Sequence, residues 1–212
     1  MKEYIESLNW RYAAKKYDAA KKVSKEDLET LKQAVRLSVS SVGLQPYKVF
    51  VVESDEMRNK LKTAAGGNNQ NIIADSSYLF VFANELNVND THVDKYISTI
   101  SQVRGVAPEA VKGFSDYISG YLASLTEEQK NIWTAKQSYI ALSTLINTAA
   151  LLRIDATPME GFDAQEFNKI LGLDELGLNA AVIAAIGYRH EEDAMQHAVK
   201  VRKPLEELFV TV

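Results

Sequence analysis

The sequence contains no cysteine. Disulfide bonds, thiolate catalysis and cysteine-ligated zinc or iron–sulfur centres are therefore excluded. Only four prolines occur among the 212 residues, and no internal repeat, low-complexity stretch or Pro/Gly-rich linker is visible. A chain of this length can bury a substantial core without covalent cross-links. We therefore expect one domain that spans residues 1–212.

A long hydrophobic run and an excess of positive charge are also missing. The best apolar runs, such as Ala180–Gly187, are far shorter than the roughly 18 residues of a membrane span. The amino-terminal MKEYIESLNW carries acidic residues and does not resemble a secretory signal. The formal net charge of −4 gives no general attraction for nucleic acid or for an anionic membrane. We expect a cytoplasmic protein with neither nucleic acid nor membrane as a partner.

Several common catalytic signatures are absent as well. The histidines at positions 92, 190 and 197 lack the spacing of a metal site, so surface or helix-capping roles are expected for them. No Gly-x-Ser-x-Gly elbow, P-loop or Gly-x-Gly-x-x-Gly fingerprint occurs. Hydrolase, P-loop nucleotidase and Rossmann dehydrogenase functions therefore lose their usual support, and no metal site is predicted.

The pattern of apolar residues predicts an α+β fold without regular βαβ alternation. Ser24 with Asp27, and Thr126 with Gln129, are typical of capping boxes at helix starts. The predicted helices are 24–37, 55–65, a group within 89–125 that breaks near Gly105 and Gly113, and a long apolar helix from Thr126 to about Arg153. The predicted strands are 47–52, a central 78–83 and 180–186, with a β-prone run at 208–212.

Two basic clusters and a serine pair are candidates for binding. Arg11-Tyr12-Ala13-Ala14-Lys15-Lys16 follows a short helical segment, and Lys200-Val201-Arg202-Lys203 lies near the carboxyl end. Arginine and lysine both suit phosphate, although each cluster alone is equally compatible with a solvated surface. Ser40-Ser41 occupies a polar turn before Gln45-Pro46. Spacing along the chain does not establish that positions 11 and 200 meet in space.

The stretch Thr157-Pro158-Met159-Glu160-Gly161-Phe162-Asp163 predicts a constrained turn with exposed backbone amides. Because glycine presents no side chain, backbone donors in such a turn can approach a flat heteroaromatic ligand closely. The alternative is an ordinary turn between elements, with Asp163 as the N-cap of the next helix.

Taken together, the segments resemble the FMN-dependent nitroreductase family, specifically its oxygen-insensitive NAD(P)H nitroreductase and dihydropteridine reductase branch. The similarity extends over nearly the whole chain. The segments that carry it, in order, are Arg11–Lys15, Ser40-Ser41 with Gln45-Pro46, Ala64–Gly66 to Asn69-Gln70, Trp133 with Lys136-Gln137, Pro158–Asp163 and Lys200–Arg202. Each segment alone is a weak signal, and their common order makes the signal strong.

The resemblance implies a nitroreductase-like fold. Such a fold has a central, mostly antiparallel sheet flanked by helices, and a homodimer in which the C-terminal strand is exchanged between subunits. FMN would lie at the subunit interface, with NADH or NADPH as the electron donor. Nitroaromatics and quinones are the expected acceptors, reduced by ping-pong hydride transfer through one site, and the hydride is carried by the flavin rather than by a catalytic side chain.

The resemblance also implies a role for individual residues. Arg11, Lys200 and Arg202 would clamp the FMN phosphate, and Lys15 would give electrostatic support at the pyrimidine edge, beside Asn69. Backbone amides of Glu160 and Gly161 would contact the ring, and Ser40 and Ser41 would come from the other subunit. The full set of expected cofactor-binding positions is Arg11, Tyr12, Ala13, Lys15, Val39, Ser40, Ser41, Gly43, Asn69, Pro158, Glu160, Gly161, Lys200 and Arg202.

Some features depart from the family pattern or leave alternatives open. Many relatives have serine where this chain has Ala13, and some have a second lysine where it has Ile72, which could lower the flavin potential. Phe114, Tyr117 and Tyr121 are either substrate-lid or core residues. The alternative functions are another flavoenzyme of the same fold, such as an enone reductase, a flavin reductase or a dehydrogenase, a non-catalytic flavin-binding dimer, and a structural globule.

Overall fold

The computed structural model of the protein describes residues 2–212. Its centre is a four-stranded sheet in the order β1-β2-β4-β3, and every neighbouring pair is antiparallel. The strands are β1 (Tyr47–Val52), β2 (Tyr78–Glu85), β3 (Asp155–Met159) and β4 (Leu178–Gly187). The expected α+β fold with an antiparallel sheet is confirmed, and β2 is a central strand as predicted.

Helices surround this sheet, and several begin at the caps that the sequence predicts. The Ser24 side chain accepts from Asp27 N, and Thr126 forms a reciprocal capping box with Gln129. Asp163 accepts from two amides at the start of its helix, and His92 completes a capping box with Asn89. The helices are α1 (Lys2–Trp10), α2 (Lys25–Arg36), α3 (Asp55–Leu61), α4 (Asn69–Asp75), α5 (Asp90–Arg104), α6 (Lys112–Ala123), α7 (Glu127–Leu151), α8 (Ala164–Leu171) and α9 (Leu205–Leu208).

The two faces of the sheet bury different cores because side chains alternate along each strand. Leu79, Val81 and Ile183 point to one face, in a cluster that also holds residues of α3, α4 and α8. Phe80 and Ala184 point to the other face, in a cluster with residues of α2 and α7. A third cluster joins α5 and α6 to the start of α7. Helix α7 therefore lies across the sheet as a spine, as its apolar composition predicts.

One local prediction was wrong. Thr157, Pro158 and Met159 lie in β3 rather than in a turn, so only Glu160–Phe162 connects to the next helix. Proline is tolerated there because β3 is an edge strand, where a missing amide donor breaks no essential ladder bond.

The two predicted helix breaks are present. Gly105 ends α5 in a left-handed conformation, and α6 begins next to Gly113, at Lys112, after a short 3-10 turn over Pro108–Val111.

The carboxyl end forms no strand within the described residues. Residues 205–208 form the short helix α9, and residues 209–212 have no strand partner among residues 2–212, so the predicted exchange of this tail between subunits stays a prediction. In the described part of the protein, no helix combines the length and apolar character that a bilayer crossing needs.

Candidate functional site

Three basic residues from opposite ends of the chain meet beside the end of α1. The Lys200 ammonium donates to the carbonyl oxygens of Leu8, at 2.8 Å, and of Arg11. Burial, followed by the charge of Arg202, lowers the pKa of Arg11, and burial with the charges of Arg11 and Arg202 lowers the pKa of Lys200. The structure thus brings together positions 11, 200 and 202, which the sequence could not place.

This basic cluster, Arg11 with Lys200 and Arg202, forms no ion pair with a carboxylate within residues 2–212. The carboxylate that acts on Arg11 from nearby, Asp155, is paired with Arg189. The Arg11 Nε is buried and has no hydrogen-bond partner. The three positive charges repel one another, and the buried Arg11 Nε lacks an acceptor. An anion such as a phosphate would reduce the repulsion and supply the acceptor.

A groove of ≈ 590 Å³ runs from the basic cluster along α7 to the end of β3. Arg11 and Glu160 are the two charged residues that line the groove, and the other lining side chains are apolar or small and polar, apart from Tyr139. The complete lining is Arg11, Tyr139, Leu142, Ser143, Ile146, Asn147, Pro158, Met159, Glu160 and Val182. Such a groove can accept a molecule that is flat and apolar in one part and anionic in another.

The Glu160–Phe162 connection forms one wall of the site and is held from outside the groove. The Asn69 amide donates to the Gly161 carbonyl at 3.0 Å, and Gly66 N donates to the same oxygen at 3.2 Å. A Cβ on Gly161 would lie 2.8 Å from Asn69 Nδ2, so any side chain there would displace the Asn69 amide from this close approach. The Gly161 N–H makes no hydrogen bond within residues 2–212. The expected neighbours Asn69, Glu160 and Gly161 are therefore together, with a free backbone donor.

Tyr139 on α7 fixes the Glu160 side chain from across the groove. Its hydroxyl donates to Glu160 Oε1 at 2.7 Å. Burial, followed by this hydrogen bond, raises the pKa of Tyr139 to about 12, so the hydroxyl stays protonated at neutral pH and remains a donor. The sequence did not indicate a role for Tyr139, because its contact with Glu160 depends on how α7 packs against β3.

Lys15 has a tightly held backbone and a free side chain. Its amide donates to Asp193 Oδ2 at 2.7 Å, and its carbonyl accepts from Asn68 Nδ2 at 2.8 Å. The carbonyl of the preceding Ala14 accepts from Thr157 Oγ1 at 2.9 Å. No partner of the Lys15 ammonium occurs among the described residues. The charge of Lys15 is therefore available to a ligand.

Three further residues, Asp155, Arg189 and Asp193, support this segment, and the sequence did not point to them. The Tyr12 hydroxyl donates to Asp193 at 3.0 Å, and the Arg189 guanidinium lies 4.5 Å from the Tyr12 ring centroid. Arg189 also pairs with the buried Asp155 at 2.6 Å. Each contact joins residues that lie far apart in the sequence, so no local pattern could have found them.

The expected site residues Val39, Ser40, Ser41 and Gly43 do not line this groove within one chain. They lie on the other side of α7, where Ser41 N donates to Gln137 Oε1 at 2.8 Å. The Ser40 hydroxyl accepts from Gln45 N at 3.0 Å. Gly43 has φ +75° and packs against the Tyr96 hydroxyl, so any side chain there would be strained and crowded.

The three aromatics proposed as a lid have different environments. Phe114 packs edge-on against Tyr96, and Tyr117 is 63% exposed. Tyr121 packs edge-on against Trp133 and belongs to the third core cluster. Tyr121 therefore has a packing role, whereas Phe114 and Tyr117 remain accessible.

Comparisons with known proteins agree with this geometry. The sequence profile of the nitroreductase family matches residues 8–188. A relative named major NAD(P)H-flavin oxidoreductase, from Aliivibrio fischeri, is 34% identical and covers 97% of this chain and 96% of its own. A Staphylococcus haemolyticus protein, provisionally named an NAD(P)H nitroreductase, is 33% identical and covers 97% of this chain and 95% of its own.

A solved structure extends the comparison to the fold. A protein from Exiguobacterium sibiricum, provisionally described as a nitroreductase in complex with FMN, superposes with a TM-score of 0.83 at 19% identity, covering 99% of this chain and 97% of its own. At that identity the likeness concerns the fold alone. The family profile and the two sequence relatives confirm the resemblance seen in the motifs: the chain belongs to the nitroreductase family.

Proposed function

We propose that this protein reduces nitroaromatic compounds, quinones and related planar acceptors with electrons from NADH or NADPH, using FMN bound between two subunits. The family and the relatives' names support the coarser part, an NAD(P)H-dependent oxidoreductase that uses FMN. The observation that carries the finer part is the groove lined by both Arg11 of the basic cluster and Glu160, the residue next to Gly161.

The residues of this groove fit FMN in both charge and shape. Arg11, Lys200 and Arg202 would hold the phosphate, which would relieve their mutual repulsion and pair the orphaned Arg11 Nε. The ring system would lie against the Pro158–Gly161 wall, where glycine permits close approach and the Gly161 N–H is free to donate. Tyr12 and Ala13 belong to the same basic segment, and the Tyr12 hydroxyl supports it through its hydrogen bond to Asp193.

When bound, FMN accepts a hydride from NAD(P)H and passes two electrons to an acceptor. The chain's own residues bind and orient: the Lys15 ammonium places a positive charge at the ring edge, where negative charge grows during reduction. The Asn69 amide and Tyr139 hydroxyl hold the Gly161 wall rigid. An open ring face recognises little beyond planarity, so donor and acceptor take turns at one site.

Homodimerisation would complete the pocket. Helix α7 exposes an apolar stripe that includes Ile132, Ile140 and Leu151. Val39 is 74% exposed, and it lies with Ser40, Ser41 and Gly43 on the side of α7 away from the chain's own groove. A twofold axis along α7 would bring these residues over the partner's groove. They would then supply the contacts that one chain lacks.

The carboxyl-terminal tail, residues 205–212, would exchange between the same subunits. Strand β1 is an edge of the sheet, and a groove of ≈ 380 Å³ lies beside it. Phe209 and Val210 of the tail are exposed and belong to none of the three core clusters of the described residues. An unpaired strand edge and an apolar β-prone tail are mutually complementary, so we place the tail of one subunit on β1 of the other.

The visible spectrum of the purified protein tests the proposal. We expect a yellow protein, or apo-protein that turns yellow with added FMN, whose flavin absorbance bleaches on anaerobic addition of NADH or NADPH. A protein that ignores FMN would contradict the proposed cofactor site. A yellow protein that neither NADH nor NADPH bleaches would instead indicate flavin storage.

An acceptor screen with the reduced enzyme separates the members of this function class. Because the Aliivibrio fischeri relative is named a flavin oxidoreductase, free flavin belongs in the screen beside nitroaromatics, quinones and enones. Fast reoxidation by nitroaromatics and quinones supports the proposal. Reoxidation by free flavin alone would favour a flavin reductase.

A further inference from the structure

Asp193 is a buried carboxylate held entirely by uncharged donors. It is 3% exposed, and no lysine or arginine within residues 2–212 forms an ion pair with it. Its Oδ2 accepts from Lys15 N at 2.7 Å, from the Tyr12 hydroxyl at 3.0 Å and from Lys16 N at 3.3 Å. Its Oδ1 accepts from Met195 N at 3.0 Å. One side chain thus joins the basic segment to the turn that leads to Lys200.

The backbone of Lys15 is held on both sides, and this carboxylate makes the shorter of the two hydrogen bonds. Asp193 holds the amide of Lys15, and Asn68 holds its carbonyl. The Lys15 side chain itself has no partner in the described structure. Because that side chain is long and flexible, the place its ammonium reaches is set by where the backbone is fixed.

We propose that Asp193 is a positioning residue that fixes Lys15 beside the flavin and thereby sets the flavin's reduction potential. The inference rests on the proposed function, since it takes FMN as the ligand of the groove. Asp193 does not line the groove and would act on Lys15 through its hydrogen bonds to the basic segment, which include the Lys15 amide and the Tyr12 hydroxyl.

The direction in which the FMN midpoint potential changes when Asp193 is substituted distinguishes a positioning role from a direct effect of its charge. A negative charge near the flavin disfavours its reduction, so removing the Asp193 charge would by itself raise the midpoint potential. Losing the hold on Lys15 moves a positive charge away from the ring and lowers the potential. A mainly structural role would change the thermal stability of the protein without lowering the potential.

The experiment is a spectroelectrochemical titration of FMN bound to the wild type and to Asp193→Asn, Lys15→Ala and the double variant. We expect Asp193→Asn to lower the midpoint potential toward that of Lys15→Ala. The double variant should match Lys15→Ala alone, because Asp193 acts through Lys15. An unchanged or raised potential in Asp193→Asn, or a further drop in the double variant, would overturn the proposal.

Two more variants guard the interpretation. Asp193→Glu keeps the charge but displaces the carboxylate, so we expect a lowered potential, and an unchanged value would count against positioning. It also keeps the test decisive if Asp193→Asn does not fold. The matched control is Glu192→Gln, which removes an adjacent exposed charge that pairs with the Lys16 side chain and should not lower the potential.

The same data distinguish this inference from the function on which it rests. If wild-type protein binds no FMN, or if neither NADH nor NADPH bleaches it, the proposed function fails. If the wild type behaves as expected and the Asp193 variants keep its potential, only the positioning role fails.

Discussion

At the scale of single residues, the site is built from charges that lack their usual partners. The basic cluster gathers three cations that form no ion pair with a carboxylate among the described residues, and the Lys15 ammonium is a fourth charge without a partner there. Holding like charges together costs stability in the absence of a ligand. Their arrangement therefore suits an anionic cofactor. Single substitutions should distinguish the residues that bind the phosphate from those that change the flavin's reduction.

Arg202→Ala should weaken FMN binding by about 10- to 100-fold. The expected loss is one charge-assisted hydrogen bond, about 1.5–3 kcal/mol, and each 1.4 kcal/mol changes Kd about tenfold. Titration of apo-protein with FMN, followed by flavin fluorescence, measures the effect. Lys203→Ala is the matched control, since it removes a neighbouring charge outside the cluster. An unchanged affinity in Arg202→Ala would remove this residue from the phosphate site.

Lys15→Ala should keep FMN bound but slow its reduction by NADH by about tenfold or more, since a positive charge is lost where negative charge grows. Stopped-flow bleaching under anaerobic conditions measures the rate. Lys16→Ala is the comparison, because the Lys16 ammonium is already paired with Glu192, whereas the Lys15 ammonium has no partner in the described residues. Reduction of the Lys15 variant at the wild-type rate would disprove its role.

Asp193 should also give stability a characteristic pH dependence. Burial raises the pKa of its carboxyl, but the hydrogen bonds from Lys15, Met195, Tyr12 and Lys16 outweigh burial and lower the pKa below the ordinary 3.8. A group with a lowered folded-state pKa stabilises the protein above its unfolded-state pKa, and this contribution disappears as the pH falls through the folded-state value. The stabilisation is therefore complete at neutral pH.

Asp193→Asn should thus be less stable than wild type by about 1–3 kcal/mol at pH 7. The difference should shrink as the pH falls below 3.8, where the wild-type carboxylate becomes protonated. Urea unfolding across a pH series measures it. A difference that stays constant into the acid range would show that ionisation of Asp193 does not stabilise the fold.

At the scale of elements, the site depends on how α7, β3 and the Glu160–Phe162 connection fit together. β3 is an edge strand that contains Pro158. Gly161 lies in the connection that follows β3, and because it has no side chain the Asn69 amide can approach it closely. Capping boxes placed the starts of α2 and α7 correctly, because a cap is a local interaction between residues three apart. β3 was not predicted because it is short and contains a proline, and proline in a sequence usually indicates a turn.

Gly161→Ala should fold normally and bind FMN about fivefold more weakly. The new Cβ would lie 2.8 Å from Asn69 Nδ2, the end of a side chain that can move, so the cost falls on the Asn69–Gly161 hydrogen bond. Loss of about 1 kcal/mol corresponds to that change in Kd. Equilibrium titration measures it, and Gly120→Ala on α6, where a Cβ meets nothing within 4 Å, is the control. Wild-type affinity in Gly161→Ala would show that this wall is not a close contact.

At the scale of the whole molecule, the proposed pocket needs two chains. The tail and the Ser40-Ser41 segment find no place at their own chain's groove, while β1 offers an open edge. Cofactor binding and dimerisation would then be linked, because a ligand that binds only the dimer stabilises it by mass action.

Substitution of both Phe209 and Val210 by aspartate should weaken the dimer and lower FMN affinity together, since it places two charges where an apolar tail would dock. Light scattering over a dilution series, with and without FMN, measures both effects. Val103→Asp is the control, as it alters an exposed apolar residue of α5 that lines none of the grooves described above. A variant that stays dimeric and binds FMN normally would contradict tail exchange.

The sequence by itself determined the fold class, the helix caps, three of the four strands and the family, because each of these follows from local patterns or from an ordered set of motifs. Only the tertiary structure decided that Arg11 meets Lys200 and Arg202, that Tyr139 holds Glu160, and that Asp193 fixes Lys15. Such contacts span up to 192 residues of chain and depend on how elements pack, which no periodicity records.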